Sequence, residues 1–272
     1  MHIKDNTYFI TGASRGIGRA IALQLAAAGA NIVLASKSVT ENEQLGGTIY
    51  SVAEEIEALG VKALPIPCDI RDEAQIIHAM ELAGQTFGHL NGLINNASAI
   101  NLMNTAQLRS KGYDLMMDIN VRGTYLVTKH ALPLLEKATQ GAHIITMSPP
   151  LNFDLKWFKD HVAYTLSKYN MTMMTMAWSE EFKAKNIAAN SLWPMTTIAT
   201  AAVNNLLGGE QLMRKSRTPA IIADAVHFIL QQDVTYTGQQ LLDEAVLTQA
   251  GITDWAGYAV DPSQQLFKDL FL

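Results

Sequence analysis

Cysteine is almost missing from this 272-residue chain, with Cys68 its single representative. One thiol excludes an internal disulfide and fits a reducing compartment. Charge is sparse too: 17% of residues are charged, the net is −5, and no basic block stands out. A nucleic-acid partner is therefore not expected. No run approaches the roughly 18 uninterrupted apolar residues of a membrane span. The opening Met1-His2-Ile3-Lys4-Asp5 leads into a strand pattern without an apolar signal segment, so a cytoplasmic location is expected. The seven histidines have no paired spacing with a carboxylate or thiol, and no metal site is expected. Repeats, low-complexity tracts and Pro/Ser-rich linkers are absent as well. What is abundant is core material, 49% hydrophobic residues.

That material is patterned. β-rich runs at 8–11, 31–35, 62–68, 90–94, 142–147, 188–192 and 239–242 alternate with helical patterns at 16–28, 49–59, 72–87, 113–137 and 162–184. Two further helices are expected before the last strand, and a polar loop containing Gly46-Gly47 after the second. Strands separated by helices of this length imply an α/β chain. The expectation is one doubly wound Rossmann domain over 1–272, with a mostly or wholly parallel seven-stranded sheet flanked by helices on both faces. Ligands of such sheets bind beyond the carboxyl ends of the strands.

The first strand runs into Thr11-Gly12-Ala13-Ser14-Arg15-Gly16-Ile17-Gly18 and then a helix. Glycines there let the backbone approach a pyrophosphate, and the helix N-terminus supplies amide donors; a plain tight turn is the alternative. The second strand ends in Ser36-Lys37, not in the acid that holds a ribose 2′-hydroxyl. With Arg15 these favour NADP over NAD, the alternative being two solvated cations. Asp69-Ile70 closes the third strand, where Asp69 could accept from an adenine amino group or cap a turn. Asn95-Asn96-Ala97-Ser98 closes the fourth and suits a chain passing close under a cofactor. Tyr164 and Lys168, at i and i+4, share one helix face about 6 Å apart along the axis. A neighbouring ammonium favours the phenolate, so the pair is a candidate proton-transfer device.

Taken together and in order, the Thr11–Gly18 turn, Asp69, Asn95-Asn96-Ala97, Asn120, Ser148, Tyr164, Lys168 and Pro194 resemble the short-chain dehydrogenase/reductase family from about Asp5 to Asp243. Ser148-Pro149-Pro150-Leu151-Asn152, Ala163-Tyr164-Thr165 and Leu192-Trp193-Pro194 resemble its hydroxysteroid dehydrogenase-like branch and bacterial citronellol-dehydrogenase-like relatives. The resemblance implies an NAD(P)-dependent oxidoreductase, with NADP(H) expected and NAD(H) second. Tyr164 would be general acid or base, and Lys168 would hold the nicotinamide ribose and depress the tyrosine pKa. Ser148 would bond the substrate oxygen, and Asn120 would hold a water chain reaching Lys168. Gly12, Ser14, Arg15, Gly16, Ile17, Gly18, Ser36, Lys37, Asp69, Ile70, Asn96, Ala97, Ser98, Pro194, Thr196 and Thr197 would meet the cofactor, alongside Tyr164 and Lys168.

The chain departs from the family at Pro149-Pro150 after Ser148, Met195 after Pro194, Ser98 after Asn-Asn-Ala, and Leu242-Asp243-Glu244 at the last strand. Those changes fall around the substrate, where Ile100, Leu151, Trp157, Trp193 and Met195 suggest an apolar alcohol or carbonyl. A cover is expected over 196–213. Asp269-Leu270-Phe271-Leu272 is expected to end the dehydrogenase domain, without the sterol-carrier unit of animal members. The methionines at 171, 173, 174 and 176 are expected in the core or at a subunit face of a homodimer or homotetramer. Other readings left open are an NAD-linked dehydrogenase and a catalytically weak cofactor-binding regulator.

Overall fold

Seven strands run parallel in the order β3-β2-β1-β4-β5-β6-β7, in a computed structural model that describes residues 1–41 and 46–272. They are β1 (Thr7–Thr11), β2 (Asn31–Ser36), β3 (Ala63–Pro67), β4 (Gly92–Asn95), β5 (Ala142–Met147), β6 (Ile187–Trp193) and β7 (Gln240–Leu242). The central strands are apolar almost throughout because both faces of the sheet are covered. Along β1 and β2, Ile10, Ile32 and Leu34 face one layer while Phe9, Val33 and Ala35 face the other, the two-residue period of a pleated strand.

Among the described residues ten α-helices supply the cover. They are α1 (Gly16–Ala27), α2 (Ile49–Glu57), α3 (Glu73–Phe87), α4 (Ser110–Met116), α5 (Thr124–Leu135), α6 (Lys156–Lys159), α7 (Val162–Glu181), α8 (Gly209–Arg214), α9 (Ala220–Gln231) and α10 (Asp243–Gln249). On the first face α1 and α9 bury Ile21, Leu25, Ile222 and Val226; on the second α3, α5 and the end of α7 bury Ile76, Ala83, Val127, Ala131 and Trp178. Local signals set the boundaries. Asp72 caps α3 by accepting from the Ala74 amide at 2.9 Å, and Thr48 and Ser51 cap α2 reciprocally. The loop expected after the second strand lies partly outside the described residues, at 42–45.

One expectation needs correction. The single helix predicted over 113–137 is divided, with a π-helical stretch at Met117–Gly123 between α4 and α5. Its wider turn accompanies the buried Asn120, which is bonded to both the 98–99 loop and α7, and π-bulges of this kind recur at functional sites. Hydropathy alone reads straight through it. The short helix α6, and α10 starting directly on the end of β7, also escaped the periodicity, being too brief to show a period.

β1 lies between β2 and β4, so the chain crosses in opposite directions from this strand and leaves a crevice at the carboxyl ends. Its floor is tight. A Cβ on Gly18 would sit 2.4 Å from the Gly12 carbonyl oxygen and 2.6 Å from Asn96 Nδ2. Gly18→Ala is expected to lower unfolding free energy by about 1–3 kcal/mol, as overpacking does. Urea denaturation measures this, and an unchanged midpoint would show that the turn yields freely.

Candidate active site

A cleft of about 860 Å³ opens across the ends of β1 to β4, within the range of small-molecule sites. Gly12 (φ 66°) and Gly16 (φ 54°) turn through the left-handed region that favours glycine. A Cβ on Gly12 would meet the Ala97 Cα at 3.0 Å. The Thr11 hydroxyl oxygen accepts from the Asn96 and Ala97 amides, each at 3.0 Å. Asn96 Nδ2 returns bonds to the carbonyls of Thr11 (2.9 Å) and Gly12 (3.1 Å). Asn96 therefore shapes the glycine turn with its side chain while still bordering the cleft.

Ser14, Arg15, Gly16, Ile17, Ser36, Lys37, Asp69, Ile70, Ala97 and Ser98 also border the cleft, whereas Gly18 lies beneath it. At the end of β2 the cleft is bordered by Ala35, Ser36, Lys37 and Ser38. Arg15 Nη2 donates to Ser38 Oγ at 2.6 Å, and Arg15 Nε is buried with no partner among the described residues. Spare guanidinium donors therefore lie beside Ser36, Ser38 and an exposed Lys37, a group suited to an anion. Asp69 accepts from its neighbour Arg71, Nε at 2.9 Å and the amide at 3.1 Å; that pairing holds its carboxyl below the usual range. It caps a turn while also bordering the cleft.

The far wall comes from Ala199-Thr200-Ala201-Ala202, inside the cover expected over 196–213 but a few residues beyond the Thr196 and Thr197 expected to meet the cofactor. Thr197 instead pairs with the Ser216 hydroxyl at 2.8 Å, and Thr196 keeps a buried hydroxyl with no partner among the described residues. Pro194 lies outside the cleft lining as well. A run of four small residues after Pro194 was the available signal, as was Ser38 next to Lys37.

Tyr164, Lys168 and Thr172 fall on one face of α7 at four-residue spacing. All three are buried, apart from the residues that border the cleft. Lys168 Nζ donates to the Met147 carbonyl at 2.9 Å and lies 5.3 Å from the centre of the Trp193 ring. Ser148 follows Met147, and its Oγ lies 2.9 Å from the Thr172 hydroxyl, which also donates to the Pro149 carbonyl at 2.7 Å. Asn120 joins the two halves. Its oxygen accepts from the Ala99 amide (2.7 Å) and the Ser98 hydroxyl (3.1 Å), and its nitrogen donates to the Ala99 carbonyl (2.9 Å) and Ser167 Oγ (3.0 Å).

Burial governs the electrostatics. It raises the Tyr164 phenol well above its ordinary range, with Asp269 adding to the shift. It pushes the Lys168 ammonium down to about 7, against the opposing pull of Asp269. Both causes acting on the phenol raise its pKa, and Lys168 is not among them, so the depression expected from the neighbouring ammonium is not seen here. Asp269, which the sequence reading did not select, is pushed up to about 7 by burial, and Asp243 adds to this while Lys168 opposes it. Its signal was faint: one acid flanked by Leu270-Phe271-Leu272. Ile100, Leu151, Trp157 and Trp193 belong to one apolar cluster with Phe271 and Tyr164, and the Met195 backbone bonds Asp243 and Asp269.

Comparison with known proteins places these features in context. The model of the short chain dehydrogenase family matches residues 6–210. Hydroxysteroid dehydrogenase-like protein 2 of Xenopus tropicalis is 52% identical over 98% of this chain and 63% of its own length, so the chain spans less than two thirds of that relative. A solved short chain dehydrogenase from Mycobacterium thermoresistibile is 44% identical with a TM-score of 0.93, covering 99% of this chain and 96% of that one. Carveol dehydrogenase from Mycobacterium avium, solved in complex with NAD, shares the fold at 21% identity and a TM-score of 0.75, over 89% and 96% of the two chains. Among the described residues no helix is long and apolar enough to cross a membrane, and no cluster of His, Cys, Asp and Glu could hold a metal.

Asp269 also gives stability a pH dependence. An unfolded aspartate titrates near 4 and the folded one near 7, so between those values the unfolded chain releases a proton that the folded chain keeps. Stability from this group is complete below about pH 4 and is lost as pH rises toward 7. Asp269→Asn keeps the acceptor for the Leu270 amide, which lies 2.6 Å from Oδ1, and removes the titration. The advantage in melting temperature of Asp269→Asn over the unsubstituted chain should grow from pH 4 to 7 and then level off. A difference independent of pH would contradict the buried acid.

Proposed function

Because the chain belongs to the short-chain dehydrogenase family, we propose that it transfers a hydride between a nicotinamide cofactor, NADP(H) in preference to NAD(H), and an apolar alcohol or carbonyl. The observation that carries this reading is the set on one face of α7, Tyr164 one turn before Lys168, tied through Asn120 to the cleft wall at Ser98. The nicotinamide supplies or accepts the hydride when bound.

The chain's own residues would do the rest. The glycine turn and the α1 N-terminus receive the pyrophosphate, and Arg15, Ser36, Lys37 and Ser38 receive the ribose phosphate. Ser148 donates to the substrate oxygen and stabilises the charge that develops on it. Tyr164 gives its proton to that oxygen in reduction and takes it back in oxidation. Lys168, with a pKa lowered to about 7, can gain or lose a proton at neutral pH, and so can resupply the phenol. A dry phenol with a raised pKa holds its proton until a carbonyl oxygen is in place. Cytoplasmic residence, the single domain and assembly into a homodimer or homotetramer belong to the same reading; exposed Tyr125, Leu166, Met173 and Met176 on α5 and α7 support a second copy. A catalytically weak cofactor-binding protein is the second reading, favoured by the packing of Phe271 against Tyr164.

Tyr164→Phe should lower turnover by about 10²–10⁴ in an assay of aliphatic and terpenoid alcohols and aldehydes with both nicotinamides. Near-normal turnover would remove the phenol from the chemistry. Lys37→Asp should weaken NADPH binding more than NADH binding in a fluorescence titration, and an unchanged ratio would remove the NADP preference.

A further inference from the structure

The last five residues of the sequence run through the region assigned to substrate. The segment enters through one isolated antiparallel bridge, Thr196 with Lys268: the Thr197 amide donates to the Phe267 carbonyl at 3.0 Å, and the Asp269 amide to the Met195 carbonyl at 3.1 Å. Trp193 Nε1 then donates to the Leu270 carbonyl (3.1 Å) and Asn152 Nδ2 to the Phe271 carbonyl (3.1 Å). Phe271 is 1% exposed and sits among five rings. Centroid distances are 5.3 Å to Tyr169, 5.7 Å to Trp157, 6.0 Å to Trp193, and 6.1 Å to both His161 and Tyr164.

This is an apolar chamber with one wall made by the phenol that the proposed chemistry needs. Two of its other rings, Tyr169 and His161, are held by bonds that do not involve residues 268–272, whereas Trp193 bonds the Leu270 carbonyl. Tyr169 Oη receives the Asn152 amide at 3.2 Å. His161 Nδ1 lies 3.0 Å from Thr165 Oγ1, whose own proton goes to the Trp157 carbonyl, so the imidazole donates from Nδ1. Phe271, in contrast, is held at φ 74°, a left-handed backbone that side-chain-bearing residues seldom adopt. A buried ring on a strained backbone, joined by a few bonds at the rim of an apolar cluster that includes Tyr164, is a candidate for exchange.

We propose that residues 268–272 are an internal occupant of the substrate pocket, and that the ligand which displaces them carries a compact ring or branched apolar group of about the size of the Phe271 side chain next to its hydroxyl or carbonyl. The inference rests on the proposed dehydrogenase reading for the role of Tyr164, and it adds the substrate class and a closed resting state. In that state the apparent affinity for substrate is reduced by the fraction of molecules whose pocket is open.

Cyclohexylmethanol is a suitable probe, since it is transparent and its ring matches the size of the phenyl group. Its binding can be followed by the fluorescence of Trp157 and Trp193 in the full chain without cofactor. Phe271→Gly tolerates the left-handed backbone and should bind the alcohol about tenfold more tightly, or better, than the unsubstituted chain. Equal affinity, or no binding to the substituted chain, overturns the proposal. Hydrogen exchange of the unsubstituted protein provides a test that does not depend on how the variant folds. Amides of residues 267–272 should exchange faster at saturating alcohol, and unchanged exchange overturns the proposal whatever the variant does. If the tail is released but neither nicotinamide supports oxidation of the alcohol, the dehydrogenase reading fails and the pocket assignment stands. If the alcohol is oxidised while the tail stays protected, the pocket assignment fails and the dehydrogenase reading stands.

Discussion

An ammonium group with almost no water around it fixes the geometry of this site. Lys168 Nζ donates to the Met147 carbonyl at the end of β5, with a methionine sulfur at 3.7 Å and the Trp193 indole as its other neighbours. Burying a cation is costly unless it is bonded, so the contact specifies how α7 lies against the sheet. The rest follows from that register. Ser148 is the residue after the acceptor, Thr172 is one turn beyond Lys168 and reaches Ser148, and Tyr164 is one turn before it. Asn120 then connects the residue preceding Lys168 to the wall of the dinucleotide cleft.

Loss of water sets the chemistry as well as the geometry. The same burial that raises the phenol lowers the ammonium and raises the Asp269 carboxyl, leaving three groups that all favour their neutral forms more than they would in water. Phe271 and its neighbours make the region dry. Replacing Phe271 with a substrate of similar bulk would keep water out while presenting an oxygen to Tyr164 and Ser148. Residues 268–272, on the proposed reading, take the place of that substrate and keep the apolar cluster around Tyr164 filled.

Much of this was legible in the sequence, for physical reasons that differ from element to element. The strands were readable because two-sided burial demands apolar runs, and the glycine turn because Gly12 and Gly16 adopt backbones that other residues avoid. The Tyr164–Lys168 pair was readable because a helix converts four-residue spacing into one face. The π-helical stretch around Asn120 was not, since its cause is a set of bonds to residues more than twenty positions away. Nor was the direction of the Tyr164 shift. Charge proximity can be guessed from spacing, but desolvation depends on what closes over the site, and that is a segment about a hundred residues downstream. Asp269 and Phe271 were for this reason placed in a domain end, and the residues around Phe271 were assigned to a ligand alone.

The state of the Lys168 ammonium is the most direct measure of the account. Carbon-13 labelling of lysine Cε, with the resonance assigned by its loss in Lys168→Arg, follows that single group as pH is varied. A midpoint near 7, against an ordinary value of 10.5, is what a dry, carbonyl-bound lysine requires. A midpoint in the ordinary range would mean that water reaches the site, and neither the closed pocket nor the proton path drawn from it would stand.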